Sequence, residues 1–328
     1  MIEFEMTLDA ICALQDHRGM IPWAAGHHAD PWNHTEAVIA LALGGRYHAA
    51  RRGLGWLTRV VNRDGSYCQF FTTSAVLEPR IDLNNCLYPA VGALAYLVSS
   101  RDVASVRDFA ISFDVTVDFV LRRQRSDGSF PWALAPDRTP LAGSLLAGSS
   151  AMVLSFEAIE ALDTLLGRNR PHVKEASAAL GAYIGDPTSR FLAKDAWAMD
   201  GYYPILAGVL DDADARHRMQ EFLERHYILG AGVQAIAGSS WVTTAETAEA
   251  AMAMIRLGDL HQARQMLDDV EALRRSDGGY LTGWVWPDRV SFPAGEESAY
   301  SAAAVIIARY LLGLGRPVGL VEGILARE

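Results

Sequence analysis

Carboxylates recur beside amides or aromatics at five places in this chain, and a small, polar cluster makes a sixth. These are Asp30-Pro-Trp-Asn-His-Thr-Glu36, Asp82-Leu-Asn-Asn-Cys-Leu-Tyr88, Asp200-Gly-Tyr-Tyr-Pro204, Trp241-Val-Thr-Thr-Ala-Glu-Thr-Ala-Glu249, Glu296-Glu-Ser-Ala-Tyr300 and a small, polar variant, Gly143 to Ser150. They return about every 50 residues, the mark of a repeat architecture. Two carboxyl groups, one protonated and one ionised, are what glycoside hydrolysis needs. Asp30 and Glu246 are the pair expected to supply them, with Glu249 and Glu297 in reserve. Trp32, Asn33, His34, Asp82, Asn85, Asp200, Tyr202, Tyr203, Trp241 and Trp284 are expected to bind sugar hydroxyls or stack on sugar rings.

Each acid also has a plainer explanation. Asp30 with Pro31 after it is a good helix start. Thr243 to Glu246 fits a capping box, while Glu249, three residues on, shares the face of Glu246. His27 and His28 are adjacent but lack a zinc-type spacing, so no metal and no cofactor are expected. A nucleophile elbow and a P-loop are both missing from the sequence.

The chain has 328 residues, half of them hydrophobic, and a formal net charge of −10. No basic block is present, which weighs against nucleic acid and anionic membranes as partners. No apolar run approaches the roughly 20 residues of a membrane span. The first residues show no basic, apolar leader, and Cys12, Cys68 and Cys86 form no ladder. A reduced, cytoplasmic protein, monomeric or homodimeric, is therefore expected.

The elements that must position these residues come in two kinds. Amphipathic helices are expected near 3–16, 47–62, 103–124, 171–185, 213–228 and 259–275. Ala-rich helices, apolar all round and so buried, are expected near 31–44, 83–99, 144–166, 200–210, 242–257 and 297–313. The polar openings all begin helices of the second kind. Several helices of the first kind end in Asp-Gly turns followed by an aromatic, as at Asn62 to Tyr67 and Arg275 to Tyr280. Six buried helices alternating with six amphipathic ones predict an all-α (α/α)6 toroid rather than an open solenoid. It would form one domain over 1–328, with a short tail at 316–328, and the openings would converge on one rim.

The Asp-Gly-aromatic turns and helix pairs resemble the squalene-cyclase and protein-prenyltransferase toroids. Their chemistry does not carry over: Asp211-Asp-Ala-Asp214 has the wrong order for a cyclase acid, and Cys86 with Asp82 lacks a second zinc motif. Asp30 to Glu36, Ala198-Met-Asp-Gly-Tyr-Tyr-Pro204 and Trp241 to Glu249 more closely resemble the mycobacterial methylmannose polysaccharide hydrolases. That resemblance implies a cytoplasmic enzyme making endo-cuts in an α-1,4-linked 3-O-methylmannose chain. Gly201 stands where the family leads us to expect a bulkier residue, which would alter a subsite. In this reading Glu246, set deeper and under Trp241, is the acid. Asp30 is the ionised base that activates water, so the reaction inverts. The alternatives are a prenyl-chain enzyme with a closed apolar cavity, a lyase using Asn33, His34 and Tyr202 or Tyr203, and a non-catalytic binding protein.

Overall fold

The structure is a computed structural model and describes residues 4–327. The chain runs through α1 (Glu5–Leu14), α2 (Pro31–Leu43), α3 (Tyr47–Val60), α4 (Leu83–Leu87), α5 (Pro89–Ser100), α6 (Val103–Leu121) and α7 (Leu146–Leu166). It continues through α8 (Pro171–Gly185), α9 (Ala198–Leu206), α10 (Asp212–His226), α11 (Thr244–Leu257), α12 (Leu260–Asp269), α13 (Ala299–Gly313) and α14 (Leu320–Leu325).

Neighbour relations close the inner helices into a ring. α2 packs on α5, α5 on α7, α7 on α9, α9 on α11, α11 on α13, and α13 back on α2. The outer helices α1, α3, α6, α8, α10 and α12 pack against this ring from outside. This is the expected (α/α)6 toroid. Composition explains the division of labour. Every residue from Ala299 to Ala308 in α13 is buried, and the run Ala245 to Ile255 of α11 is buried except for Glu246. In α3, by contrast, Ala50, Leu54 and Leu57 are buried while Arg51 and Arg59 face water, the stripe expected of a helix with one covered side.

Four differences from the sequence expectation have physical causes. The inner helix expected at 83–99 is split at Tyr88, because Pro89 has no N–H to continue the ladder and crowds the preceding turn. The helix expected at 259–275 becomes α12 followed by a 3₁₀ turn, Val270–Leu273. Thr243 precedes α11 without a side-chain capping bond, so the capping box does not form. The tail contains α14, which packs under α5 and α7 with Val318, Leu320, Val321 and Ile324 buried. The expected helix start at residue 3 and the last residue of the tail lie outside the described residues.

Short strands dress the end of the ring where the inner helices begin. β1 (Phe70–Phe71) pairs with β2 (Val76–Glu78), and β3 (Ile81–Asp82) with β4 (Ala133–Leu134). A five-stranded antiparallel sheet follows the order β5 (Tyr227–Ile228), β6 (Gly232–Gln234), β7 (Trp241–Thr243), β8 (Gly283–Val285) and β9 (Val290–Ser291). β7 runs directly into α11, so the sheet fixes the entry of the helix that carries Glu246 and Glu249.

Candidate active site

Asp30 is the N-cap of α2. One carboxylate oxygen accepts the Asn33 N–H at 2.9 Å, and the other accepts the Asn33 side-chain amide at 2.5 Å. The residue is 3% exposed. Burial pushes its carboxyl up from the ordinary value, opposed by the Asn33 donors and by His28. Asp82 begins α4 in the same way, accepting the Asn84 N–H and side-chain amide. Burial lifts it to about 6, and the nearby charge of Asp30 adds to the rise. The two acids are therefore electrostatic neighbours. Asn85 follows in the first turn of α4, half-buried.

Glu246 lies in the first turn of α11, half-buried. Burial raises its carboxyl. It is not the deeper of the expected pair, since Asp30 is the more enclosed. The chain sinks its acid one turn further down, at Glu249, which is 1% exposed. On the ring α13 alone stands between α2 and α11, so Asp30 and Glu246 sit on the same rim one helix apart. Trp241 is half-buried, sends its indole N–H to the Phe292 carbonyl at 3.1 Å and meets the Phe292 ring edge-on. Trp284 is buried beneath the guanidinium of Arg289, its indole nitrogen without a partner among the described residues.

Below this rim the centre of the ring is filled by polar side chains bonded to one another. Tyr202 donates to one oxygen of Glu249, and Tyr203 and Tyr300 donate to the other at 2.8 and 2.6 Å. Tyr88 donates to Glu36. All six residues are at most 5% exposed. Burial raises Glu249 to about 8 and Glu36 to about 7, and the charge of Glu36 adds to the rise of Glu249. Trp32 roofs this cluster, stacked on Tyr88 at 4.9 Å and edge-on to Tyr203 at 5.5 Å. Tyr202 and Tyr203 are thus floor, not rim. The prenyl-chain alternative expected a closed apolar cavity where these acids and phenols stand.

Three expected residues are placed elsewhere. His34 is fully buried: its Nδ1 accepts the Ile21 N–H at 3.0 Å, and its Nε2 faces the Gly53 carbonyl at 3.0 Å. It ties the 15–30 loop and α3 to α2, and burial lowers it to about 4. With both nitrogens engaged it has none to offer a sugar hydroxyl, and none free to take a substrate proton as a lyase base would. Asp200 accepts the Ala147 N–H at 3.1 Å, a cap supplied across helices to the first turn of α7. Glu297 points outward to Arg275 at 3.5 Å. It lines a cavity of about 800 Å³ between α1 and α13, together with His27, Asp277 and several alanines. Gly201 faces the ring of Phe222, where a Cβ would approach to 2.5 Å. It is a packing glycine, and the bulkier residue expected there has no room.

Glu36, Tyr88, Tyr300 and Glu296 stand within the clusters read from the sequence but were given no role there. Glu296 accepts the Trp23 indole N–H at 2.9 Å and the Thr282 hydroxyl at 2.7 Å. The signal for Glu36 was available: an acid one turn inside an otherwise apolar, buried helix needs a partner. Among the described residues no three His, Cys, Asp or Glu side chains gather as a metal would require. No helix among them is long and apolar enough to cross a membrane.

No family model matches the chain. It is 31% identical over 319 residues to the MMP endo-(1,4)-3-O-methyl-alpha-D-mannosidase of Mycolicibacterium hassiacum, covering 97% of this chain and 88% of that one. Among solved structures, a glycosidase superposes with a TM-score of 0.75 at 14% identity, covering 95% and 97% of the two chains. A cellobiose 2-epimerase from Spirochaeta thermophila does so with 0.71 at 15% identity, covering 95% and 94%. These two likenesses establish the fold.

Proposed function

The chain belongs to the family of the MMP endo-(1,4)-3-O-methyl-alpha-D-mannosidase, and from that membership we propose that this glycoside hydrolase makes internal cuts in an α-1,4-linked 3-O-methylmannose chain. The observation that carries the reading is the identity sustained over 97% of the chain.

Asp30 is the base. Its two Asn33 donors oppose the rise that burial imposes and favour the ionised form, and an ionised carboxylate can take the proton of an attacking water. Glu246 is the acid. Burial raises its carboxyl from the ordinary value, which favours the protonated form that can give a proton to the glycosidic oxygen as the bond breaks. Water adds at the anomeric carbon, the leaving sugar receives the Glu246 proton, and Asp30 takes one proton from the water. This division of roles inverts the anomeric centre and calls for carboxyl groups about 6.5–9.5 Å apart. O-methylation makes the sugar less polar, which suits a rim that carries Trp23 and Trp241 above Trp32.

The test is product analysis with methylmannose oligosaccharides beside maltose-type and mannan controls, the anomer being followed by NMR. Shorter methylmannose oligomers of inverted configuration are expected. Asp30→Asn and Glu246→Gln should each lower kcat by about a hundredfold or more, with circular dichroism unchanged. Full turnover in both variants would refute the assignment.

A further inference from the structure

Two buried carboxyls and four phenols occupy a space that leucines would fill at lower cost. Replacing a buried ionic cluster with apolar groups of similar volume is often neutral or stabilising, so stability alone does not account for these residues. Their placement does. Glu36 lies four residues after Trp32 on α2, and Glu249 lies three after Glu246 on α11, so each sits one turn beneath a working residue on the same face. Glu36 is bonded to Tyr88, at the junction of α4 and α5. Glu249 is bonded to Tyr202 and Tyr203 of α9 and to Tyr300 of α13. The two carboxyls thus bolt the helices that carry Asp30 and Glu246 to their ring neighbours. The rings pass the constraint upward: Tyr88 and Tyr203 fix Trp32, and Tyr300 lies 5.5 Å from Trp23, whose indole is held by Glu296.

We propose that Glu249 and Glu36 are positioning residues, which set the height and rotation of α2 and α11 so that Asp30, Glu246 and Trp32 meet the substrate in reactive register. The proposal rests on the reading above, in which Asp30 and Glu246 are the reacting pair. Misplacing a reacting group by about 1 Å costs on the order of a hundredfold in rate, so a loosened floor should appear in kcat before it appears in KM.

The experiment compares wild-type protein with the quadruple variant Glu249→Met, Tyr202→Phe, Tyr203→Phe, Tyr300→Phe, which keeps the volume and removes the polar bolts. Tm, kcat and KM are measured on methylmannose oligosaccharides. We expect Tm equal to or above that of the wild type, kcat down about ten- to a hundredfold, and KM within about threefold. Glu249→Gln alone keeps an acceptor for the Tyr203 and Tyr300 hydroxyls and should retain most of kcat. A folded quadruple variant with full kcat overturns the proposal. Should that variant not fold, the single variants Tyr203→Phe and Tyr300→Phe decide, and unchanged kcat in both overturns it equally. If Asp30→Asn and Glu246→Gln are themselves fully active, the functional reading has failed; if they are dead while the floor variants run at full rate, only this proposal has.

Discussion

Glu36 and Glu249 tie stability to pH with a definite sign. An exposed glutamate titrates near 4.5, whereas burial holds these two up to about 7 and about 8. Between those limits the folded chain binds more protons than the unfolded one, so stability falls as pH rises. The contribution is fully present below about 4.5 and is lost as pH climbs through the folded values. Between pH 5 and pH 8 the melting temperature should therefore decline, and Glu36→Gln should flatten that decline. A melting temperature that rises steadily over this range in the wild type would show that the pair is ionised without penalty. The same residues show how much of the site was legible. Asp30 was singled out because an amide, histidines and a tryptophan crowd its helix start beyond what a cap needs, and Glu246 because Trp241 precedes it and a second acid follows one turn on. His34 was misplaced because it adjoins Asn33 in sequence, although one step along a helix turns a side chain by about 100°, here toward α3. The donors to Glu249 lie 46 to 51 residues away, a pairing that no local pattern encodes.

Among the elements, the turns that close the outer helices repeat one construction. At Asp16, Asn62, Arg125 and Arg275 a residue bonds its N–H to the carbonyl four positions on, and its own carbonyl accepts from a glycine three positions on. Those glycines, Gly19, Gly65, Gly128 and Gly278, all have φ between 89° and 94°. Each presses on the backbone of another outer helix. A Cβ on Gly128 would stand 2.4 Å from the Ala179 carbonyl oxygen of α8, and one on Gly278 would stand 2.4 Å from the Met6 carbonyl carbon of α1. Left-handed backbone and contact with an immovable partner both demand glycine. Gly128→Ala and Gly278→Ala should each cost about 2–4 kcal/mol, read from urea denaturation. Gly230→Ala has the left-handed strain but open space around it and should cost about 1 kcal/mol. Equal losses at all three positions would mean that the contacts contribute nothing. The turns at Asn62 and Arg275 were visible in the sequence as Asp-Gly-aromatic signals, and so were the six helix pairs of the ring. Boundaries were less so: the Pro89 break went unread because the apolar run continues across it.

At the scale of the whole molecule, a ring of helices must close at two places that linear repeats never face. One is the seam where the last pair meets the first, held by α13 on α2 and by the Gly278 turn on α1. The other is the base, opposite the rim, where inner helices end with unsatisfied carbonyls. The final segment answers the second need. α14 lies under α5 and α7. Arg327 donates to the carbonyls of Ala42 and Leu43 at the end of α2, and to the Ser99 hydroxyl near the end of α5. Sequence alone left this stretch as a tail because its apolar residues are too few to show a period. Deleting residues 316–328 should uncover the apolar ground beneath Val318, Leu320, Val321 and Ile324, on the order of 6 kcal/mol of burial. That loss is partly offset because 13 fewer residues need ordering. The melting temperature should drop by several degrees, while kcat and KM measured well below it stay within about twofold, because the rim lies at the other end of the inner helices and their floor is bolted independently by Glu36 and Glu249. A truncated protein that melts like the full chain would make α14 an ornament. One that keeps its fold but loses kcat would mean that the base and the rim move together, and that the ring transmits strain along its full height.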